Sequence, residues 1–582
     1  MVLSKVVSWG AQRIASLSLL ALLLLVYIAL GHDKPKGAAR GKPELTTAQL
    51  VLVVYTLFTH LQALAFPVRL CVSTWSVTKK LKKAQQPHSS PRSVSKQGVS
   101  MGVKSIEMYE DSSSSYSSSS EDEGALKRED DLVLHSIILP NYKEDINNLR
   151  ETLQVLACNQ QASATCEVIL AMEQGEEESE MKAKLLCKEF SERFRKMEYT
   201  IHPCDIPGEA QGKSSNLSWA ARHVSEKYST DKQKKNVIIT VLDADSHLSP
   251  SYFAQITSMH RHYAQTNATT VYVPPIIFDR NSHLVPIPVR VADLLWAGAG
   301  LSGHHRGSTI CPPTSVYSLP LTLVDRAGGW DTGPEAIGED LHMYIKCFFT
   351  VNGNLTCRTV LSPASQTNVH TSGKGIRGIW MNCYARYRQA LRHMWGALDS
   401  GYVIKSAGQM CWRTLCGKNA VGESPNWTST ITMIHRMYEA HCLPTHMTIL
   451  IVGAGLYTAC VPTHQIPPLM LQTFDLTGYI RLASLALLGC FFCFYETYHT
   501  QCVSTREAEM IRFGLADRMV DGFSYRKFSK NYADYLFFPI SGVAFGSLPT
   551  FVALICQLWT LRLVYKVSKK PTLMGVPIPL PV

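Results

Sequence analysis

The chain has 582 residues, enough for two or three domains, of which 18% are charged and 46% hydrophobic. Its formal net charge of +11 does not mark a nucleic-acid binder: Lys79, Lys80, Lys82 and Lys83 follow directly on an apolar stretch, with Arg92, Lys96 and Lys104 beyond, the pattern of a cytosolic juxtamembrane segment beside anionic membrane lipids. The 17 cysteines are scattered through apolar contexts, Cys490 and Cys493 inside an apolar run, so neither a disulfide scaffold nor a zinc ribbon is indicated, and buried thiols in a reducing compartment are expected.

Ile14 to Leu30 is an almost uninterrupted Leu/Ala/Ile run just long enough to cross a bilayer, and Leu50 to Val68 is a second, interrupted by His60 and Gln62. A signal peptide is the alternative for the first, but its length and the second run soon after favour an anchor. Residues 1–72 are therefore expected to form two transmembrane helices with everything after Val72 in the cytosol, although the basic loop Lys34 to Lys42 opposes that orientation. Of the four sequons, at Asn216, Asn267, Asn354 and Asn426, the first three stay silent in that orientation. Residues 73–130 read as a linker, basic and then acidic, with Ser112 to Ser120 nearly all serine and Glu121, Asp122 and Glu123 beside it; such a segment, from Pro87 to Asp130, cannot bury enough apolar surface to fold.

Order is expected again over residues 131–375. Leu132 to Leu139 reads as a strand, after which Ile146, Leu149, Leu153 and Leu156 recur at helical spacing. Val168 to Met172 is a second strand, Glu177 to Met197 a charged amphipathic helix, Tyr199 to His202 a third strand and Ser214 to Tyr228 a helix. Val237 to Leu242 is a buried strand ending in two aspartates, Asp243 and Asp245. This alternation predicts an α/β fold with a doubly wound, mostly parallel sheet whose strand ends converge on the aspartate pair. Ligands of open α/β sheets sit beyond the carboxyl ends of the strands, and Mg²⁺ or Mn²⁺ prefers carboxylate and phosphate oxygens, so a metal-held nucleotide diphosphate is expected there. An isolated Asp-x-Asp is common by chance, and its context carries the reading.

Thr269 to Val273 is a further strand candidate, followed by the loop Gly303-His304-His305-Arg306-Gly307, which has no partner at zinc-ligand spacing and is expected to be an acceptor-site loop. Ile376 to Ser406 is rich in Trp, Tyr and Arg, so residues 376–430 are expected to hold interfacial helices. Residues 431–582 are expected to be a C-terminal transmembrane region built from Met447 to Val461, Leu476 to Tyr495, and Tyr535 to Leu563 broken by Pro539 and Pro549. Lys566, Lys569 and Lys570 favour a cytosolic C-terminus, which demands an even number of crossings here and leaves the count open.

Several motifs in order over Leu132 to Trp395 make the chain resemble the processive membrane synthases of glycosyltransferase family 2, the group of hyaluronan, chitin and cellulose synthases. The resemblance implies a GT-A-like domain with helical transmembrane and interfacial segments at both ends, and an inverting, metal-dependent (Mg²⁺ or Mn²⁺) transfer of sugar from a UDP-sugar donor to a growing glycan. Pro140-Asn-Tyr142-Lys-Glu144 resembles the family's Pro-x-Tyr-Asn-Glu beside the nucleoside, with Lys143 where asparagine is usual, and also reads as a helix N-terminal region. Glu173 stands where an aspartate pair is usual and is assigned to the nucleoside, a surface glutamate being the alternative. Gly212-Lys213-Ser-Ser-Asn216 looks like the Gly-Lys-x-x-x-Asn block, with Lys213 on the diphosphate. Asp243 and Asp245 take the metal role, Asp243 also reaching the ribose.

Gly338-Glu339-Asp340 is similar to the motif whose aspartate is the general base, so Asp340, with Glu339, is assigned to catalysis. Gln389-Ala-Leu-Arg392-His393 resembles Gln-x-x-Arg-Trp, with Gln389 and Arg392 toward the diphosphate. His393 replaces the signature tryptophan and Trp395 lies two residues on; these, with Trp330, are the acceptor candidates. Single-sugar transfer to a lipid or glycolipid acceptor is the second reading. An inactive membrane scaffold or transporter is the third, disfavoured by the presence of Asp243, Asp245, Asp340 and Arg392. The sugar, and the choice among plasma membrane, Golgi and endoplasmic reticulum, are not encoded in these motifs.

Overall fold

The computed structural model describes residues 8–31, 44–85, 132–417, 424–514 and 526–563. The loop Lys34 to Lys42, the linker from Pro87 to Asp130 and Lys566, Lys569 and Lys570 lie outside the described residues.

Nine strands are described: β1 (Leu134–Pro140), β2 (Cys166–Glu173), β3 (Lys196–His202), β4 (Val237–Val241), β5 (Thr270–Val273), β6 (Ile276–Phe278), β7 (Tyr317–Pro320), β8 (Thr356–Thr359) and β9 (Ala364–Gln366). Seven of them form one sheet in the order β3-β2-β1-β4-β7-β5-β8, and β6 pairs with β9. The first four are mutually parallel, as the alternation of strands and helices predicts, and β5 runs parallel to β8. β7 is antiparallel to both β4 and β5, so the sheet is mixed and mostly parallel. The reversal had no sequence signal: β7 is four residues long and ends in Pro320, a residue that lacks an N–H for the ladder.

Apolar residues alternate to both faces. Ile137, Leu139, Val168 and Leu170 join Leu149, Leu153, Tyr252 and Phe253 on one side; Ile138, Ile169, Ile239 and Val241 join Leu217, Ala220 and Phe348 on the other. Burial on both faces is what makes these strands read as continuous apolar runs. The charged helix expected to reach Met197 stops at Phe190, because Lys196 already pairs with Glu167 at the start of β3 and a turn is needed to reach it.

Among the described residues, five helices are long and apolar enough to cross a membrane: Ile14–Gly31, Thr47–Ala84, Leu443–Cys460, Pro468–Arg512 and Phe538–Gln557. The fourth, 45 residues long, extends about 68 Å at the helical rise, roughly twice the ~30 Å hydrocarbon layer. Leu476 to Tyr495 is thus only part of it, and its C-terminal half docks on the sheet domain. Tyr498 donates to the Ile276 carbonyl at 2.9 Å, and Arg506 Nε lies 3.0 Å from Asp279 Oδ2. Gly298 permits the approach: a Cβ there would sit 2.6 Å from Phe491 Cζ. In the last stretch the chain forms helices Phe528–Leu536, Phe538–Gly542 and Leu548–Gln557 around a π-helical turn, Val543–Ser547. Pro539 and Pro549 fall in first turns, where a missing N–H is tolerated.

The segment expected to be interfacial begins with two helices, Gly375–Trp395 and Leu398–Leu415, and Ile376, Ile379, Trp380 and Tyr384 are exposed on the first. The Gly303–Gly307 loop, expected at an acceptor site, is tied to two other elements. His304 Nδ1 bonds Thr359 Oγ1 at 2.8 Å and His305 Nδ1 bonds Ser73 Oγ at 2.9 Å, so it fastens the sheet domain to the second apolar helix. All 17 cysteines are free thiols; Cys490 and Cys493 are exposed on the long helix rather than buried.

Candidate active site

The parallel register of β1 and β4, Leu134 opposite Val237 through Ile138 opposite Val241, delivers Pro140 and Asp243 to the same edge of the sheet. The turn after β4 is held from two sides. Thr152 Oγ1 donates to the Ala244 carbonyl at 2.7 Å, and the Thr367 hydroxyl donates to the buried Asp245 carboxylate.

Lys213 opens the helix Lys213–Lys227 behind Gly212, which has φ +156°. A Cβ at Gly212 would meet nothing within 4 Å, so the backbone angle, not crowding, requires glycine. Lys213 Nζ lies 2.6 Å from Asp243 Oδ1 and 2.5 Å from Glu339 Oε1. One ammonium group thus ties the aspartate after β4 to the start of the helix Glu339–Thr350. Burial opposes charging Lys213, but Asp243, Glu339 and Asp340 outweigh it and hold the amine protonated.

Glu339 is only 3% exposed, and Tyr317 Oη donates to its Oε2 at 2.8 Å while accepting from Trp330 Nε1 at 2.9 Å. Burial, with Lys213 pulling down and Asp340 pushing up, moves the Glu339 carboxyl to about 7. Asp340 is half-buried. Its Oδ2 accepts from the Ser315 N–H at 2.8 Å and its Oδ1 from its neighbour Leu341 N–H at 2.9 Å. Ser315 has φ +66°, an uncommon conformation for a residue with a side chain and one that turns its N–H toward the carboxylate.

One turn along, His342 stands between two acids: Nδ1 is 2.5 Å from Asp399 Oδ1 and Nε2 is 3.0 Å from Asp331 Oδ2. Lys346 Nζ reaches Asp331 Oδ1 at 2.5 Å. Burial alone lowers the ring's affinity for a second proton, but Asp399 and Asp331 prevail and raise His342 to about 10.

In the turn after β1, Lys143, at φ +57°, holds its Nζ 5.0 Å from the centre of the Tyr142 ring. Glu176 fastens this turn by accepting from Asn141 Nδ2 at 3.0 Å and from the Lys143 N–H at 2.7 Å, and Lys182 Nζ donates to the Glu144 carbonyl at 2.8 Å. Glu173 is not a surface residue. It is buried at the end of β2, 3.0 Å from His202 Nδ1, whose Nε2 is 2.9 Å from Glu209 Oε2.

Gln389 and Arg392 are half-buried on the Gly375–Trp395 helix. The acceptor candidates diverge from expectation. Trp330 is buried in the core beside Tyr317 and presents no open ring face. Trp395 is buried against the last apolar helix, donating from Nε1 to the Leu561 carbonyl at 3.0 Å. The two-residue offset explains this, since ~200° of helical rotation carries Trp395 away from the direction of position 393. His393 instead stacks on Trp296, with ring centres 4.5 Å apart.

Tyr317, Ser315, Thr152, Thr367 and Glu176 were not anticipated as site residues. They reach the site through sheet pairing, turn geometry or, for Thr152, the packing of its helix on the turn after β4, so no local motif marks them. Among the described residues, no group of three or more His, Cys, Asp or Glu side chains is arranged to hold an ion alone. The carboxylate pair Asp243 and Asp245 still fits an ion that shares ligands with a substrate diphosphate, the usual situation for Mg²⁺ at phosphate sites.

Residues 238–473 match the family model described as "Glycosyl transferase family group 2". The chain carries a family 2 glycosyltransferase domain. None of the curated proteins matches the chain. Solved structures similar to it include S. aureus TarS residues 1–349, at 10% identity and TM-score 0.32, covering 64% of this chain and 92% of that one. Glucosyl-3-phosphoglycerate synthase from Mycobacterium tuberculosis, in complex with Mn²⁺, UDP and phosphoglyceric acid, aligns at 15% identity and TM-score 0.25 over 44% of this chain and 76% of that one.

Proposed function

We propose that this protein is an inverting, metal-assisted membrane glycosyltransferase that moves a sugar from a UDP-sugar to a growing polysaccharide. The observation that carries the reading is the double contact of Lys213, 2.6 Å from Asp243 and 2.5 Å from Glu339, which joins the strand-end aspartates and the Gly338-Glu339-Asp340 motif in one cleft.

In this reading the nucleoside lies by Pro140, Tyr142, Glu144 and Glu173, and the diphosphate faces Lys213 and the start of its helix, whose free N–H groups favour anions. Asp243 and Asp245 would hold Mg²⁺ or Mn²⁺, which when bound neutralises charge on the departing diphosphate. Asp340 takes the proton as the acceptor oxygen attacks C1; the bond from C1 to the diphosphate oxygen breaks, and its electron pair leaves with UDP. The Ser315 and Leu341 N–H groups orient the Asp340 carboxylate. Glu339 and Lys213 set the field around it, and Arg392 and Gln389 serve the leaving group. The sheet domain works at the cytosolic face of a plasma, Golgi or endoplasmic reticulum membrane, anchored by two helices before it and the apolar helices after it.

The test is UDP release by the purified full chain offered each common UDP-sugar, with and without Mn²⁺. Release that requires the ion, and a loss of about 10²- to 10⁴-fold in Asp340→Asn, support the reading; no release from any donor overturns it. The placement of Trp395 against the C-terminal helix, with His393 stacked on Trp296, favours a second reading, transfer of a single sugar to a lipid or glycolipid acceptor. Product sizing separates the two.

A further inference from the structure

His342 lies outside the family motifs quoted above, yet its ring contacts residues from two other parts of the chain, Asp331 and Asp399. It sits three residues after Glu339 on the helix Glu339–Thr350. On one side its ring meets Asp399, fully buried at the start of the helix Leu398–Leu415, directly after the helix that carries Gln389 and Arg392. On the other it meets Asp331, whose backbone carbonyl accepts from Ser214 Oγ at 2.6 Å, while the next carbonyl, Thr332, accepts from the Ala210 N–H at 2.7 Å. Through Asp331 the ring is therefore joined to the turn that presents Lys213. The helix start is in contact with the same region: a Cβ on Gly338 would lie 3.6 Å from Asp399 Oδ2 and 3.8 Å from the Gly396 Cα.

The chemistry of the contact is set by its partners. A carboxylate only accepts, so a ring with a carboxylate oxygen at each nitrogen bears hydrogen on both and is an imidazolium. Asp399 Oδ2 finds no hydrogen-bond partner among the described residues, which leaves the His342 contact to answer that buried charge. Lys346 pairs with Asp331, the Tyr402 ring lies 4.6 Å from the His342 ring, and the Asp340 and Glu335 carboxyls also act on Asp399.

We propose that His342 is a positioning residue: as an imidazolium clamped between Asp399 and Asp331, it fixes the Glu339–Asp340 helix start relative to the Gln389/Arg392 helix and the Lys213 turn. The clamp sets the separation between proton acceptor and leaving-group binding, where displacements near 1 Å cost about 10²-fold in rate. This inference rests on the reading of Asp340 as the base.

The experiment is steady-state UDP release by the full chain with Mn²⁺ and the UDP-sugar selected by the donor screen, together with UDP affinity and melting temperature. His342→Gln, which keeps a donor but loses the charge, is expected to lower kcat by about 10-fold or more, with donor KM and UDP affinity within threefold of wild type. His342→Gln/Asp399→Asn, which removes the stranded carboxylate, is expected to recover at least threefold of that loss. Asp399→Asn alone, close to isosteric, tests the clamp if His342→Gln does not fold and is expected to lower kcat severalfold at an unchanged KM. A kcat within threefold of wild type in both single variants, or kcat losses matched by lost UDP affinity with no recovery in the double variant, overturns the clamp while an inactive Asp340→Asn leaves the proposed function standing. Full turnover in Asp340→Asn overturns the base assignment and this inference with it.

Discussion

Glu339→Gln probes the electrostatics of the cleft through stability rather than turnover. The carboxyl is almost wholly buried, and burial, incompletely answered by Lys213 and Tyr317 and reinforced by Asp340, raises it from 4.5 to about 7. Because the folded value is the higher one, the folded chain keeps this proton after the unfolded chain has lost it. Its contribution to stability is thus full below pH 4.5, declines above it, and is gone once the pH has passed about 7. The interval from 4.5 to about 7, at about 1.4 kcal/mol per pH unit, corresponds to roughly 3 kcal/mol. Gln has the shape of the protonated acid and does not ionise. Glu339→Gln is therefore expected to melt with wild type near pH 4.5 and to be more stable by up to about 3 kcal/mol at pH 8, while losing UDP release. The assay is thermal melting of the detergent-solubilised full chain, followed by tryptophan fluorescence across this pH range. A variant that melts below wild type at pH 8, or a difference independent of pH, refutes the reasoning; the former result would mean that the ion pair with Lys213 outweighs the burial of Glu339.

Asp243→Asn is expected to reduce UDP release by at least about 10²-fold and to shift half-saturation by Mn²⁺ upward, read by metal titration of initial rates. Trp395→Ala empties a buried site against Leu398 and Ala553 and is expected to destabilise by about 3–5 kcal/mol, with a lower melting temperature and an unaltered donor KM. His202 is raised above 6.5: its burial works against the charge, but Glu173 and Glu209 outweigh it. The stability this supplies is present below pH 6.5 and lost as the pH climbs through the raised value. His202→Gln should accordingly destabilise more at pH 6 than at pH 9 in the same melting assay.

Much of the catalytic scaffold was legible from local pattern. The buried run before Asp243, the helix beginning at Gly212-Lys213 and the three strands before them appear within a few residues of their expected positions, because each is specified by hydrophobic periodicity and a start or stop signal of its own. β6, β7, β8 and β9 were not legible, being three or four residues long, too short to establish a period. The acceptor side was misread at Trp330 and Trp395 for a related reason. A tryptophan's identity does not say whether its ring faces a cleft or a core, and both rings are buried by elements distant in sequence.

By itself, the sequence determined the apolar helices, the parallel half of the sheet and the carboxylates at its rim, since these depend on neighbours within a turn or a strand. Only the tertiary structure decided that Lys213 bridges residues 30 and 126 positions away, Asp243 and Glu339, that β7 runs backward to bring Tyr317 beneath Glu339, and that His342 closes on Asp399. Such contacts follow from strand order and from which faces of distant helices meet, and those are set by the packing of the whole domain.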